Sequence, residues 1–510
     1  MRVLIVSPYE AVNPHFETEL EIAQRHWVCG DDVAMLACLG EQSICDFNLE
    51  GDRQRCESCR LRRRMGQQLL TSRPVLRPAT PKGKGWRLPA EAEEFLANLT
   101  EKSSADLKHL SCEGFDLGYA CLSSLVSSLR DPYPDLGKHR LRLASMMRDA
   151  WSVFFSVRHF LQTQAVQRVY VFNGRFAPMR AVFRAAAVCG VDCFIHERGS
   201  THNRFQLFKN HLPHDIDYMV QRMRRFWEAA PVGQREASAG QWFADRRQRV
   251  ERNWKSFTKE QKKNLLPSDW DDRRHNIVLF CSSEDEFAAI GDSWDRRPYP
   301  SQLAGMNHLL GLLHRADAHL TVRLHPNLKD APAALSRPFL ESRDPRLTVI
   351  APDSPVDSYA LLDQANLCVT YGSSVGVEAV YQGIPSVLLG PCFYRDLGGT
   401  YQPLAGFTGD ASTLPVDDPS VEALADLLNG SPAAGDPLGA MVYAHWMQEN
   451  GIEYRYYQGS EFNQGEFRGE WIYPRPNAKS LKGRWQQWAR RWQSDEEKQA
   501  AALCDLGCDC

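Results

Sequence analysis

No stretch of this 510-residue sequence approaches the roughly 20 unbroken apolar residues that a membrane span requires. There is no excess of charge either. Sixty Lys and Arg against 63 Asp and Glu leave a net −3, which gives no global reason to expect nucleic acid as a partner. Internal repeats and low-complexity segments are missing, so a solenoid or linker-like chain is excluded. The hydrophobic and charged contents, 43% and 24%, are those of a soluble globular protein. At this length one hydrophobic core does not suffice, and two domains of ordinary size are expected. The opening "MRVLIVSPYE" turns polar too soon for a signal peptide and reads as a buried first strand. A cytoplasmic location is therefore expected, and the fifteen cysteines read as thiols or metal ligands rather than disulfides.

The chain opens β-α-β, with strands over 2–6 and 32–38 and a helix over 15–30 that closes on Gly30. A loop with cysteines and arginines (38–64) follows, then a Pro/Gly-rich connector over 78–89. Residues 90–165 are helical in pattern and read as an insertion. The strand–helix alternation resumes with "RVYVFNG" (168–174) and "DCFIHERG" (192–199). An Arg-, Lys- and Trp-rich stretch, 220–265, reads as an exposed helical bridge. A second α/β series runs from "HNIVLFCSS" (275–283) through "HLTVRLHP", "RLTVIAP" and "NLCVTYGSS" to "PSVLLG". The predicted fold class is α/β. Two Rossmann-like doubly wound domains, 1–265 and 266–480, face a cleft bordered by the carboxyl ends of both sheets. A third segment, 481–510, is expected to carry an amphipathic helix.

Two strands of the second series end in small polar pairs, His325-Pro326 and Ser373-Ser374. Serines between a strand and a helix cap the helix, and they also leave room for an anion there. His325 is either a structural histidine or a donor to that anion. Arg323 lies two residues back, on the same face. Glu378, four residues past Ser374, is placed to reach a ribose hydroxyl. Taken together the two sites describe a phosphate clamp at one sheet edge.

"RLHP", then "VIAPDSPVDSYALLDQANLCVTYGSSVGVEAVYQGIPSVLLG", then "FYRDLGG" resembles the C-terminal half of bacterial capsule polysaccharide biosynthesis proteins. Those are GT-B glycosyltransferases that include β-Kdo transferases using CMP-Kdo, and the same pairs are similar to bacterial GT-B sialyltransferases. The resemblance covers about 275–400 well and 1–50 and 165–220 in patches. It implies that His325, Ser373 and Ser374 hold the nucleotide phosphate of a nucleotide-sugar donor. It further implies an acidic base in the first domain, for which "IHERGS" offers Glu197. Arg198 stands where the sialyltransferases carry a second acid, and an Arg–Glu ion pair is the other reading of this stretch. His196 is the fallback base, and "HLPHD" (211–215) adds histidines on a loop. The scheme requires no metal for catalysis, and no Asp-x-Asp lies between apolar strands in the manner of metal-dependent transferases.

Cys38, Cys45, Cys56 and Cys59 fall within 22 residues and include one C-x-x-C. Four thiolates can close a structural zinc site, and unlinked thiols are the alternative. The adjoining "RQRCESCRLRRR" reads either as a solvated charge run or as a contact with an anionic acceptor or the inner face of a membrane. In 479–493, Trp485, Trp488 and Trp492 share one helical face. That helix either closes back on the first domain or lies in a membrane interface.

The leading expectation is thus an inverting GT-B transferase of surface polysaccharide biosynthesis, moving an acidic sugar from a CMP-sugar to a glycan or glycolipid acceptor. Three alternatives stand beside it: a UDP-sugar 2-epimerase, a glycerophosphotransferase of teichoic acid type, and a noncatalytic assembly factor. Against the first, the Ser-Gly-Gly and Thr-Glu-Arg-Pro of that family are missing. Against the second, Tyr371 and Gly372 stand where an aspartate would precede the serines.

Overall fold

The computed structural model describes residues 1–80, 87–252 and 256–472. The first sheet combines β1 (Arg2–Ser7), β2 (Asp32–Ala37), β3 (Val75–Pro78), β4 (Arg168–Phe172), β5 (Asp192–Arg198) and β6 (Arg204–Lys209). The second holds β7 (His275–Phe280), β8 (Ala318–Arg323), β9 (Leu347–Ile350), β10 (Leu367–Thr370) and β11 (Ser386–Leu388). Three short strands follow: β12 (Ile452–Glu453), β13 (Tyr457–Glu461) and β14 (Gln464–Phe467).

The first sheet runs β12-β6-β5-β4-β1-β2-β3 and the second β11-β10-β7-β8-β9. β1 to β5 are mutually parallel, as are β7 to β11, while β6 is antiparallel to β5. Apolar runs such as Val3–Val6 and Ile277–Phe280 are buried, as strands covered on both faces require. In each sheet the strand order reverses once, between β1 and β4 and between β7 and β10. Ligands bind outside the carboxyl ends of strands at such a switch point.

Several elements depart from the sequence expectation. The cysteine and arginine loop folds in its second half into helix α2 (Arg53–Gln68), the successor of α1 (His15–Val28), and Asp52 caps it by accepting from the Gln54 N–H at 2.8 Å. Its helical face buries Arg62 and Arg63 rather than aliphatic residues, which hid the apolar period. The 220–265 stretch is not an exposed bridge. Helices Ile216–Ala229 and Val232–Arg247 bury Trp227, Trp242 and Phe243 beside helix Leu438–Glu449. The second domain also ends earlier than residue 480. β12 pairs antiparallel with β6, so the chain has returned to the first sheet by Ile452. The Trp485, Trp488 and Trp492 face lies outside the described residues.

Candidate active site

The two switch points meet. Arg175, just past β4, donates from Nη1 to the Glu286 carbonyl, which lies in the loop after β7. Arg180 donates to the Ile290 carbonyl at 2.8 Å, and Trp294 donates to the His214 carbonyl at 2.6 Å. The carboxyl edge of one sheet therefore faces that of the other. This is the GT-B arrangement.

On the second sheet, His325 follows β8. Its Nδ1 accepts the Asn327 backbone N–H at 3.1 Å, which leaves the ring proton on Nε2. Burial, with the Arg323 and Arg130 guanidinium groups beside it, pushes its pKa down to about 4. The ring is thus a neutral donor at pH 7, oriented by its own backbone. Ser373 and Ser374 follow β10 through Gly372, whose φ of +110° and distance of 2.8 Å from a built Cβ to the Pro391 carbonyl exclude a side chain. The Ser373 N–H is held by Thr370 Oγ1 at 2.9 Å. Ser374 occupies the N-cap position without capping, because its hydroxyl turns to Glu378 Oε1 at 3.3 Å. Arg246 of helix Val232–Arg247 reaches the same hydroxyl, Nη2 to Oγ 3.1 Å.

Two residues expected to touch a nucleotide are occupied elsewhere. Glu378 is buried, 1% exposed, and both of its oxygens are taken. Oε1 meets Arg246 at 3.2 Å, and Oε2 accepts from Tyr359 at 2.8 Å. It anchors Arg246 instead of reaching a ribose. Arg323 donates to the Ala351 carbonyl at 2.5 Å and the Ser354 carbonyl at 3.2 Å, so it braces the loop after β9. Burial lowers its pKa to about 10.

On the first sheet, Glu197 near the end of β5 is half-buried. Its Oε2 accepts from Asn173 Nδ2 and its Oε1 from the Arg198 N–H, each at 3.0 Å. Desolvation raises its pKa despite those bonds and the Arg198 and Arg175 charges. Asn173 and Gly174 both adopt positive φ, which turns the chain sharply after β4 and aims the Asn173 amide at Glu197. The fallback base fails. His196 alternates to the opposite face of β5, fully buried 3.6 Å from Glu19, with its pKa pushed down to about 3 by burial. His211 pairs with Asp215 at 2.9 Å.

Three of the four candidate zinc cysteines each meet a different group. Cys59 faces Glu10 Oε2 at 3.1 Å, Cys56 accepts from Asn48 Nδ2 at 3.1 Å, and Cys38 accepts from the Gly40 N–H at 3.4 Å. Among the described residues no three His, Cys, Asp or Glu side chains are grouped to hold a metal ion. Burial pushes the Cys45 thiol up to about 12. Sequence reasoning missed Asn173, Arg175 and Arg246. An Asn-Gly pair after a strand was a readable turn signal for the first of these. Nothing local marks Arg246, whose partners lie 128 and 132 positions away.

No family model matches the chain, and no curated protein does. Among solved structures it is similar to the β-Kdo 2,4 transferase KpsC of Thermosulfurimonas dismutans, at 11% identity and a TM-score of 0.33, over 55% of this chain and 88% of that one. A UDP-GlcNAc 2-epimerase of Methanocaldococcus jannaschii matches at 11% identity and 0.28, over 87% and 97% of the two chains. The spinosyn rhamnosyltransferase SpnG matches at 12% and 0.27, over 88% and 96%. Likenesses this low carry no argument, and the fold rests on strand order and direction.

Proposed function

We propose that the protein is an inverting, nucleotide-sugar-dependent glycosyltransferase of surface polysaccharide biosynthesis, with a CMP-activated acidic sugar as donor. One observation carries the reading: a half-buried carboxylate of raised pKa, on β5 beside the first switch point, and a neutral, backbone-oriented histidine donor, after β8 beside the second, stand at the facing carboxyl edges of the two sheets. The leaving phosphate is received by His325 Nε2–H and the Ser373 and Ser374 hydroxyls, with the Arg246 charge behind Ser374. Glu197 takes the proton of the acceptor hydroxyl as that oxygen bonds to the anomeric carbon. The bond to the phosphate oxygen breaks on the opposite face, its electron pair leaves with the nucleotide, and the anomeric centre inverts. The acceptor is a glycan or glycolipid. Among the described residues no helix is long and apolar enough to cross a membrane. The exposed Arg53, Arg60 and Arg64, on one side of α2, support work at the inner face of a membrane.

The test is thermal denaturation of the purified protein with CMP, UDP, GDP and CDP and their sugar conjugates. The reading expects CMP-linked ligands to stabilise most, and the stabilisation to vanish in Ser373→Ala/Ser374→Ala. Stabilisation by UDP ligands alone would move the donor class, and no response to any nucleotide would leave the noncatalytic assembly factor.

A further inference from the structure

Around Glu197, three buried polar groups have hydrogen-bonding capacity that the protein does not fill. Tyr9, in the loop after β1, is 7% exposed and its hydroxyl has no partner. Arg175 is 8% exposed; its Nη1 is held by the Glu286 carbonyl, but Nε is unfilled. Asp46, in the loop after β2, buries both carboxylate oxygens without a well-formed hydrogen bond, although Ser124 lies beside it.

The three belong together. The Tyr9 ring stands edge-on to Phe47 at 4.4 Å, which brings the loops after β1 and β2 into contact. Asp46 and Glu197 both act electrostatically on Tyr9 and on Arg175. The Arg175 N–H donates to Asn173 Oδ1 at 3.3 Å, and the amide of the same Asn173 holds Glu197. Arg175 also touches the second domain, so the group sits at the junction, on the β1/β4 switch point.

A buried carboxylate with unfilled acceptor capacity costs stability, and such groups persist where a ligand completes them. The unfilled capacity is mixed: an acceptor at Asp46, a donor at Arg175 Nε, and both at the Tyr9 hydroxyl. A sugar hydroxyl, which donates once and accepts twice, is complementary to that set. A phosphate would be repelled by Asp46 and Glu197 together.

We propose that Asp46, Tyr9 and Arg175 form an acceptor subsite that holds the hydroxyl next to the one Glu197 deprotonates, so that the acceptor is a sugar with vicinal hydroxyls. The assignment rests on the glycosyltransferase reading above. Asp46 binds the neighbouring hydroxyl and leaves the proton transfer to Glu197, so its loss raises the acceptor KM more than it lowers kcat.

The experiment uses the full chain and compares wild type, Asp46→Asn and Glu197→Gln. At pH 8, Asp46→Asn is expected to melt no lower than wild type, since it removes an incompletely paired buried charge. A merely structural Asp46, paired with Arg175, would instead melt lower, and that result overturns the proposal. With methyl glycosides and their deoxy analogues as acceptors, wild type is expected to favour the vicinal diol at least tenfold in KM. Asp46→Asn is expected to lose that preference while its donor KM is unchanged, and a retained preference overturns the subsite. If Glu197→Gln transfers normally, the base assignment falls and the Asp46 comparison still decides the subsite. If wild type transfers nothing, methyl glycoside binding decides: stabilisation of wild type but not of Asp46→Asn supports the subsite, and equal behaviour overturns it.

Discussion

Glu197 and His325 have opposite electrostatic problems. Burial raises the carboxylate pKa and lowers the imidazole pKa, so at pH 7 one is a strengthened base and the other a neutral donor. Glu197→Gln keeps shape and hydrogen bonding but cannot accept a proton. Turnover is expected to fall by roughly 10²–10⁴ with nucleotide affinity intact, as steady-state kinetics beside calorimetric titration would show. The base works only when ionised, so the acidic limb of kcat/KM should lie above the ordinary carboxylate range. For His325 the sign is reversed. The ring stays neutral from pH 5 to 8, with its pKa near 4, so its contribution to nucleotide affinity should be flat across that window. His325→Ala should weaken binding by about 1–3 kcal/mol throughout. An affinity that climbs as pH falls through 6.5 would mean a charged ring instead. His325, Ser373, Ser374 and Glu197 could be singled out in sequence because each ends a strand in a small polar stretch. The commitments of Glu378 and Arg323 could not, because their partners are brought near only by tertiary folding.

At the scale of elements, period and punctuation located most of both sheets. The β-branched strand cores and glycine helix stops mark β1, β2, β4, β5 and the whole second sheet. β3 escaped because its four residues, Val75–Pro78, form an exposed edge with no alternation to read. The return of the chain escaped too, since β12 is two residues long and acquires meaning only from β6. Its anchor is Glu21 of α1. Buried, it accepts the N–H groups of Arg455, Tyr456 and Tyr457 at 2.7, 2.8 and 3.2 Å and pairs with Arg25 at 2.8 Å. Glu21→Ala would leave three backbone donors and a buried guanidinium without their shared acceptor. A loss of about 3–5 kcal/mol in denaturant unfolding is expected. Protease cleavage between 450 and 472 should appear first, because those residues lose their hold on the first sheet. A variant as stable as wild type would show that β13 and β14 are held by their apolar contacts alone.

At the scale of the molecule the question is whether the two domains behave as one. Their junction is apolar as well as polar. The core of the first domain continues through Ile290, Trp294, Val377 and Tyr394 of the second. The helices between 104 and 129 add a charged clasp, with Lys108 on Asp295 at 2.5 Å and Tyr119 on Asp292 at 3.0 Å. Trp294 lies where the two kinds of contact meet. It is 6% exposed, stands edge-on to Phe393 at 5.3 Å, and bonds the His214 carbonyl. Interfaces inside a chain that are small and polar let domains unfold separately, whereas apolar continuity couples them. Wild type should therefore give one calorimetric transition despite its two sheets. Trp294→Ala removes the indole from both sides at once, at a cost of about 3–5 kcal/mol, and should split that transition in two. Nucleotide would then shift only the transition of the second domain, where His325 and the two serines sit. A single transition that survives Trp294→Ala and still moves as a whole with nucleotide would assign the coupling to the clasp at Asp295.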